Sequence, residues 1–432
     1  MKFTRKISMF LSVLMIVTFV TAPAYAEDLA IGIKTVADFE AIANNPTGTY
    51  YLANDIDFGG KVYDAGYIVQ NFSGKLDGRG HALYNYTITN DAKNISTGTF
   101  QSIASAATEP VEIKNINFGK PSNEIKLNID NTASNKNHGI IGAYILQSAT
   151  VETIFENVNV YADINADTDQ NIRVGGFMGW VCKDIVMKNC TMNGSSVVGS
   201  VTVVSSNFIE HGGFFGSLNY GVATISDCTN YADVLTYGTL FAARAAGFSS
   251  FVGASLSIQN CVNKGRVTVF DYQDTKADSY AAGFLGKITG QMVNIKNCIN
   301  YGEINASQYC GGFVGIVTGI DAELDSCINY GKYTEKATMP SAFIACIDEK
   351  SGSAVVAPNC KDLTGEASET TKAPVTTNAP VTTKAPVTTK APVTTKAPTQ
   401  TPATASPVPM LALTLAGAAL LAVCLCKKST AK

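Results

Sequence analysis

The sequence is poor in charged residues, in histidine and in tryptophan. Charged residues make up 16% of the 432 residues, the formal net charge is −3, and the chain has three histidines and one tryptophan. A nucleic-acid-binding protein needs a basic face, so the charge balance argues against nucleic acid as a partner. The histidines His81, His138 and His211 lie in no metal-ligand spacing and in no catalytic-triad motif.

Motifs that would hold a metal ion or perform hydrolysis are also missing. The 11 cysteines include no C-x2-C pair, which structural zinc sites use. Acidic residues are scattered, and their densest group, Asp271, Asp274 and Asp278 with Lys276, is interpreted as a solvated loop. We therefore predict no catalytic, cofactor-binding or metal-binding residues, no cofactor, and a protein that is not an enzyme.

The two ends of the chain predict an exported, membrane-anchored protein. Residues 1–26 combine a basic start, an apolar stretch and an Ala24-Tyr25-Ala26 cleavage site, which is typical of a secretory signal peptide. Residues 364–407 predict a disordered Thr/Pro/Lys-rich stalk, because they contain too few large apolar groups to pack. Residues 408–426 predict one transmembrane helix and residues 427–432 a cytoplasmic tail. The expected location is the cell surface, with the N-terminal domain outside.

A repeat organises the rest of the chain. In residues 311–331, GGFVGIVTGIDAELDSCINYG, a Gly-Phe pair is followed by a cysteine after 14 or 15 positions. The same unit recurs, and its cysteines are Cys190, Cys228, Cys261, Cys298 and Cys327, spaced by 38, 33, 37 and 29 residues. A loose period of this size is typical of stacked supersecondary units. Residues 83–363 are therefore predicted to form an all-β parallel β-helix, a solenoid of about nine coils with three short strands per coil.

The repeat cysteines occupy a slot that holds Tyr86, Ile116 or Val158 in weaker copies of the motif. Because Ile and Val offer only packing, we expect an inward column of mostly unpaired thiols. Stacked strands place equivalent residues about 4.8 Å apart, farther than the ~3.8 Å between the Cβ atoms of a disulfide. The pairing of Cys182, Cys310 and Cys346, which lie off this column, stays open.

Two columns of asparagine accompany the slot. The first precedes each slot residue, as at Asn189 and Asn260, and is expected to form a ladder of amide hydrogen bonds. The second, Asn230, Asn263, Asn300 and Asn329, is expected to turn the chain at a corner. Longer coils carry extra residues after the corner, at residues 195–210, 233–244 and 271–281. Such insertions usually share one face, which is often the binding face.

Residues 27–82 predict an N-terminal cap and the entry into the first coil. Thr35 and Asp38 resemble a capping box at the start of a short helix within residues 28–45. Asp77, Arg79 and His81 follow in a glycine-rich stretch, and a polar turn is favoured over a reactive cluster.

These motifs resemble the GLUG-type repeats of bacterial surface proteins. The resemblance covers about residues 30–360 and includes the lead-in around residues 51–57 and 72–81. It implies a right-handed parallel β-helix, often on an adhesin or on a protein of unknown role, and it brings no catalytic residues. The predicted function is a membrane-anchored rigid surface that binds an unknown extracellular ligand, either a glycan or a host or matrix protein. A surface polysaccharide lyase or glycoside hydrolase and a structural cell-envelope protein are the alternatives.

Overall fold

A computed structural model describes residues 30–90, 95–131, 136–168, 170–200, 208–237, 242–270, 278–318, 321–335, 337–348 and 353–366. These residues form an all-β parallel solenoid of about eight turns, with one short α-helix. The predicted signal peptide, nearly all of the predicted stalk, the predicted transmembrane helix and the predicted cytoplasmic tail lie outside the described residues. Within the described part of the chain, no helix is both long enough and apolar enough to span a bilayer.

Three parallel sheets form the walls of the solenoid. The large sheet has 23 strands: Ile31–Ile33, Thr49–Leu52, Ile56–Tyr63, Lys75–Asp77, Ala82–Thr89, Val111–Phe118, Ile125–Asn131, Thr153–Thr168, Ile185–Lys188, Thr191–Ser200, Val222–Ser226, Thr229–Asn230, Asp233–Tyr237, Ser255–Gln259, Val262–Asn263, Val267–Phe270, Val293–Lys296, Ile299–Asn300, Ile304–Asn305, Ala322–Asp325, Ile328–Asn329, Ala354–Val356 and Lys361–Asp362. The nine-strand sheet comprises Tyr67–Phe72, Gly98–Ile103, Gly142–Ile145, Met178–Val181, Phe215–Leu218, Ser249–Val252, Leu285–Ile288, Val314–Thr318 and Ile344–Asp348. The seven-strand sheet comprises Lys136–Gly139, Ile172–Gly175, Phe208–Gly212, Ala242–Ala246, Asp278–Ala282, Tyr309–Gly311 and Met339–Ser341.

The number of turns is lower than the nine predicted. The repeat motif has nine slots in the sequence, but the seven-strand sheet begins only at Lys136 and ends at Ser341. The turns at the two ends of the solenoid therefore lack one wall, and the solenoid has about eight turns in all.

A left-handed residue bends the large sheet once per turn. This residue immediately precedes eight of the nine slots, and its φ lies between 51° and 63°. The residues are Asn85, Asn115, Asn157, Asn189, Asp227, Asn260, Asn297 and Ser326. Asparagine and aspartate enter this conformation at lower cost than other non-glycine residues. The first asparagine column thus makes this corner, and it also forms the predicted ladder, because Nδ2 of Asn157 and of Asn189 donates to Oδ1 of the preceding asparagine at 2.8 and 2.7 Å. The second column, which was predicted to make the corner, contains no left-handed residue.

The second asparagine column is instead a buried ladder. The Nδ2 atoms of Asn230, Asn263 and Asn300 donate to the Oδ1 atom of the next asparagine at 2.8, 2.9 and 2.8 Å. Each Nδ2 also donates to the backbone carbonyl two residues ahead, at 3.0 or 3.1 Å. All four side chains are 0% exposed. The ladder satisfies the amides inside the solenoid, where an unpaired polar group would be costly.

The core consists of stacked repeat residues. The rings of Phe214, Phe248, Phe284 and Phe313 follow one another at centroid distances of 4.8 to 4.9 Å. Cys190, Cys228, Cys261, Cys298 and Cys327 form a fully buried column with free thiols, as predicted. Cys182, Cys310 and Cys346, whose pairing was open, are also free.

The short helix Val36–Glu40 continues as a 3-10 helix over Ala41–Asn44. The predicted capping box between Thr35 and Asp38 is present. The helix is shorter than predicted, because Ile31–Ile33 forms a strand that pairs with Thr49–Leu52. Phe39 is fully buried, and its ring lies 6.0 Å from that of Phe100.

Candidate functional site on the insertion face

The three insertions at residues 195–210, 233–244 and 271–281 leave the large sheet in register. Gly199, Tyr237 and Phe270 stand near the starts of these insertions, and they follow Asp130 and Asp167 in one line across neighbouring strands. We call these five residues the exit column. The middles of the insertions, residues 201–207, 238–241 and 271–277, lie outside the described residues. Asp271, Asp274 and Lys276 belong to them, and the side chain of Asp278 is likewise not described.

Tyr237 and Phe270 form an exposed aromatic platform. Their ring centroids are 4.7 Å apart, the ring planes differ by 15°, and the residues are 47% and 42% exposed. Stacking on Phe270 occupies one face of the tyrosine ring. The strand on the other side of Tyr237 presents Gly199, where an added Cβ would lie 3.8 Å from the Cβ of Tyr237. The glycine leaves a space one strand wide, about 4.8 Å, beside the second ring face.

Polar side chains continue the exit column beyond this space. Asp130 and Asp167 are exposed neighbours in register, and no described residue forms a hydrogen bond or ion pair with either carboxylate. Two residues earlier on the same strands, Asn128 and Asn165 form a parallel row of exposed amides. Together with Val197 these four side chains line a shallow depression of about 410 Å³.

The insertions return to the solenoid beside a buried ion-pair cluster. The carboxylate of Glu210 accepts from Arg173 Nε at 2.9 Å and from Arg244 Nη1 at 2.7 Å. The side chain of Glu210 is 5% exposed and those of the arginines 20% and 16%. Burial raises the pKa of Glu210, while the two guanidiniums act in the opposite direction. The ring of Phe208 lies 5.0 Å from the Arg173 guanidinium and 5.7 Å from that of Arg244.

The seven-strand and nine-strand sheets meet at this cluster. Trp180 and Phe251 reach it from the nine-strand sheet, with ring centroids 5.7 Å from Arg173 and 5.6 Å from Arg244. Trp180 Nε1 and Arg244 Nε are buried without a hydrogen-bond partner in the described part of the chain. The ion pairs join three neighbouring strands of the seven-strand sheet, and the low exposure of the three charged side chains gives this cluster the character of a structural clamp between successive turns.

The sequence motif around Asp77, Arg79 and His81 is a turn, as favoured. Asp77 Oδ1 accepts from the backbone N–H of Arg79 at 2.9 Å, and the Arg79 guanidinium lies 3.6 Å above the ring of Tyr51. His81 Nδ1 lies 3.2 Å from Asp55 Oδ1 instead. The three side chains therefore have separate partners and do not converge.

The other two histidines lie inside the solenoid. His211 bonds Ser196 Oγ at 2.6 Å through Nε2 and Thr236 Oγ1 at 2.9 Å through Nδ1. His138 Nδ1 bonds Thr97 Oγ1 at 2.8 Å. Burial lowers the pKa of both histidines to about 3. Although Ser196 and His211 have the spacing of a nucleophile and its base, they are 1% and 0% exposed and a substrate cannot reach them.

The sequence-based prediction named no site residue, and the exit column was missed. The positions of the long insertions were the usable signal, since Gly199 and Tyr237 fall inside two of them and Phe270 directly precedes the third. Register between strands separated by 32 or more residues was needed to align them.

Comparison with known proteins gives distant matches. No protein-family model and no curated protein matches the chain. A solved structure from Bacteroides ovatus, described as a "putative immunoglobulin A1 protease", is 15% identical at a TM-score of 0.41, and the match covers 75% of this chain and 84% of that one. A second structure, named IgA1 protease, is 14% identical at a TM-score of 0.34, and the match covers 77% of this chain and 21% of that one.

Both matched proteins bear the name of a protease. This finding contradicts the prediction that the chain is not an enzyme, and that prediction is corrected here. At these identities and TM-scores, neither structure assigns an activity or a residue role to this chain.

Proposed function

We propose that the chain is a saccharide-binding β-solenoid that uses the exit column as its binding surface. The observation that carries the proposal is the exposed Tyr237–Phe270 stack with an open ring face beside Gly199. An exposed apolar patch rimmed by polar residues is a feature of interaction sites. Sugar rings combine an apolar face, which packs on an aromatic ring, with hydroxyl groups around the rim.

The polar neighbours of the platform suit those hydroxyl groups. Carboxylates accept hydrogen bonds and amides both accept and donate. Asp167 and Asn165 lie on the strand next to Gly199, and Asp130 and Asn128 lie one strand further. A ring seated over Gly199 therefore has apolar contact on one side and polar contact on the other.

We further propose that this binding surface is displayed on a cell, as an adhesin with GLUG-type repeats. The support is sequence alone: the repeat motif, the signal sequence at residues 1–26, the stalk at 364–407 and the apolar segment at 408–426. On this proposal, residues 27–82 cap the solenoid. Protease treatment of intact cells tests the display, because it should remove an epitope placed in residues 83–363 and spare one placed after residue 426.

The binding proposal is tested with single substitutions in the full chain. Tyr237→Ala removes the ring whose face is open, and we expect binding on an immobilised oligosaccharide panel to weaken about tenfold, since a central aromatic contact contributes ~1–2 kcal/mol. Tyr220→Ala is the matched control, because Tyr220 is 53% exposed at a different corner of the solenoid. The proposal fails if no saccharide binds, or if both substitutions weaken binding equally.

A further inference from the structure

We infer that the exit column selects a saccharide that carries an ammonium group. This inference rests on the proposed saccharide-binding function and adds the charge of the ligand. The observation behind it is the juxtaposition of an open aromatic face at Tyr237 with the carboxylates of Asp167 and Asp130. Ring faces and carboxylates both attract cations, so the two kinds of group favour the same ligand.

The geometry places an ammonium group between the Tyr237 ring and the Asp167 carboxylate. Gly199 separates the Tyr237 ring from Asp167 by a single strand, since Asp167 pairs with Gly199 in the sheet. A cation above Gly199 would therefore be within about 5–6 Å of both the ring and the carboxylate, taking one strand spacing on each side. This range is the one in which cation–π attraction acts.

The described surroundings supply little positive charge of their own. Lys126 lies on the same strand as Asp130, four residues away, which is roughly 13 Å along an extended strand. It pairs in register with Asp163. Arg266 lies near the other end of the column, and its guanidinium is bound to Asp233 at 3.0 Å. Because neither cation bonds Asp130 or Asp167, these carboxylates are available to a ligand, and they repel acidic sugars.

The full chain should therefore distinguish two oligosaccharides in which each sugar carries either an ammonium group or an uncharged acetamido group. The probes are β-1,4-linked glucosamine and N-acetylglucosamine oligomers of equal length, measured by calorimetry at low salt and at a pH where the amine is protonated. We expect about tenfold tighter binding of the glucosamine oligomer, because an exposed ion pair and a cation–π contact together contribute roughly 1–1.5 kcal/mol.

Substitution of one carboxylate tests where this preference arises. Asp167→Asn keeps the shape of the side chain and should reduce the preference to about threefold. The readout is the ratio of the two affinities, because Asp167 also faces the hydroxyl groups of either oligomer. Glu323→Gln removes the same charge from an exposed position elsewhere on the large sheet and should leave the preference unchanged. Added salt should weaken the binding of the glucosamine oligomer more than the binding of the N-acetylated oligomer.

The outcomes separate the two proposals. Equal affinity for both oligomers, or equal losses in Asp167→Asn and Glu323→Gln, overturns the ammonium inference and leaves saccharide binding intact. Tighter binding of the N-acetylated oligomer also overturns it. Binding of both oligomers that survives Tyr237→Ala overturns the saccharide site itself, and the ammonium inference with it.

Discussion

The sharpest test of the solenoid's construction is the removal of one charge from the clamp that joins successive turns. Glu210→Gln keeps the size of the side chain but leaves the guanidiniums of Arg173 and Arg244 next to each other without a counter-charge. Removing one partner of a buried ion pair costs about 3–5 kcal/mol. The arginine side chains are 20% and 16% exposed and keep some hydration, so we expect a loss of about 2–3 kcal/mol in the free energy of unfolding.

The chain carries its own probe for this measurement. Trp180 is the single tryptophan, and its ring lies 5.7 Å from the Arg173 guanidinium. Urea unfolding followed by tryptophan fluorescence therefore reports the turns that contain the clamp, which matters because solenoid turns can unfold separately. Glu323→Gln is the control for loss of a surface carboxylate.

The same substitution in a chain that lacks both arginines identifies the cause of the lost stability. In Arg173→Met/Arg244→Met the guanidiniums are gone, and Glu210→Gln should then cost less than about 1 kcal/mol or be stabilising. If Glu210→Gln lowers the free energy of unfolding by less than about 0.5 kcal/mol in the chain that keeps both arginines, the ion pairs do not stabilise the solenoid as proposed. An equal loss in both backgrounds would show that packing, and not charge, is responsible.

Three further outcomes are expected. Asn263→Ala should cost about 2–3 kcal/mol, because it leaves buried amides unpaired, whereas Asn297→Ala at the exposed corner should cost less in the same urea titration. The free energy of unfolding should fall as the pH drops from about 6.5 towards 3: burial lowers the pKa of His211 to about 3, so the unfolded chain binds a proton first. The His211→Gln variant should flatten this dependence by up to about 1.4 kcal/mol per pH unit. In native protein, a thiol reagent should label the half-buried Cys346 and Cys360 before any other described cysteine, and uniform labelling would contradict the buried column.

The repeat made most of the fold predictable. The Gly-Phe pair, the slot and the spacing of the cysteines led to three walls and an unpaired thiol column, both of which the structure contains. The ladder predicted for the first asparagine column is present, but the same column also makes the corner that was assigned to the second. Both columns share the same residue type at a similar spacing, and only the backbone angle, near +55° at Asn260 and its equivalents, identifies the column at the corner.

The candidate site could be located only in part. Insertion lengths indicated the correct face, because extra residues must leave the walls where the strands end. They could not show that Gly199 lies beside Tyr237, since this depends on register across strands from different turns. The clamp at Glu210 was missed for the same reason: its three charges lie 34 to 37 residues apart in the sequence.

The amide ladder has a direction, and this makes each turn an interchangeable module. Every asparagine donates forward to the next, and at the end Asn329 Nδ2 donates to Thr364 Oγ1 at 2.9 Å. Excision of one whole period, such as residues 262–298, brings Asn230 against Asn300 and restores the same bond. Excision of half a period leaves a donor without an acceptor. The solenoid can therefore be lengthened or shortened by whole turns. An engineered series of chains can set the length of the solenoid in steps of about 4.8 Å.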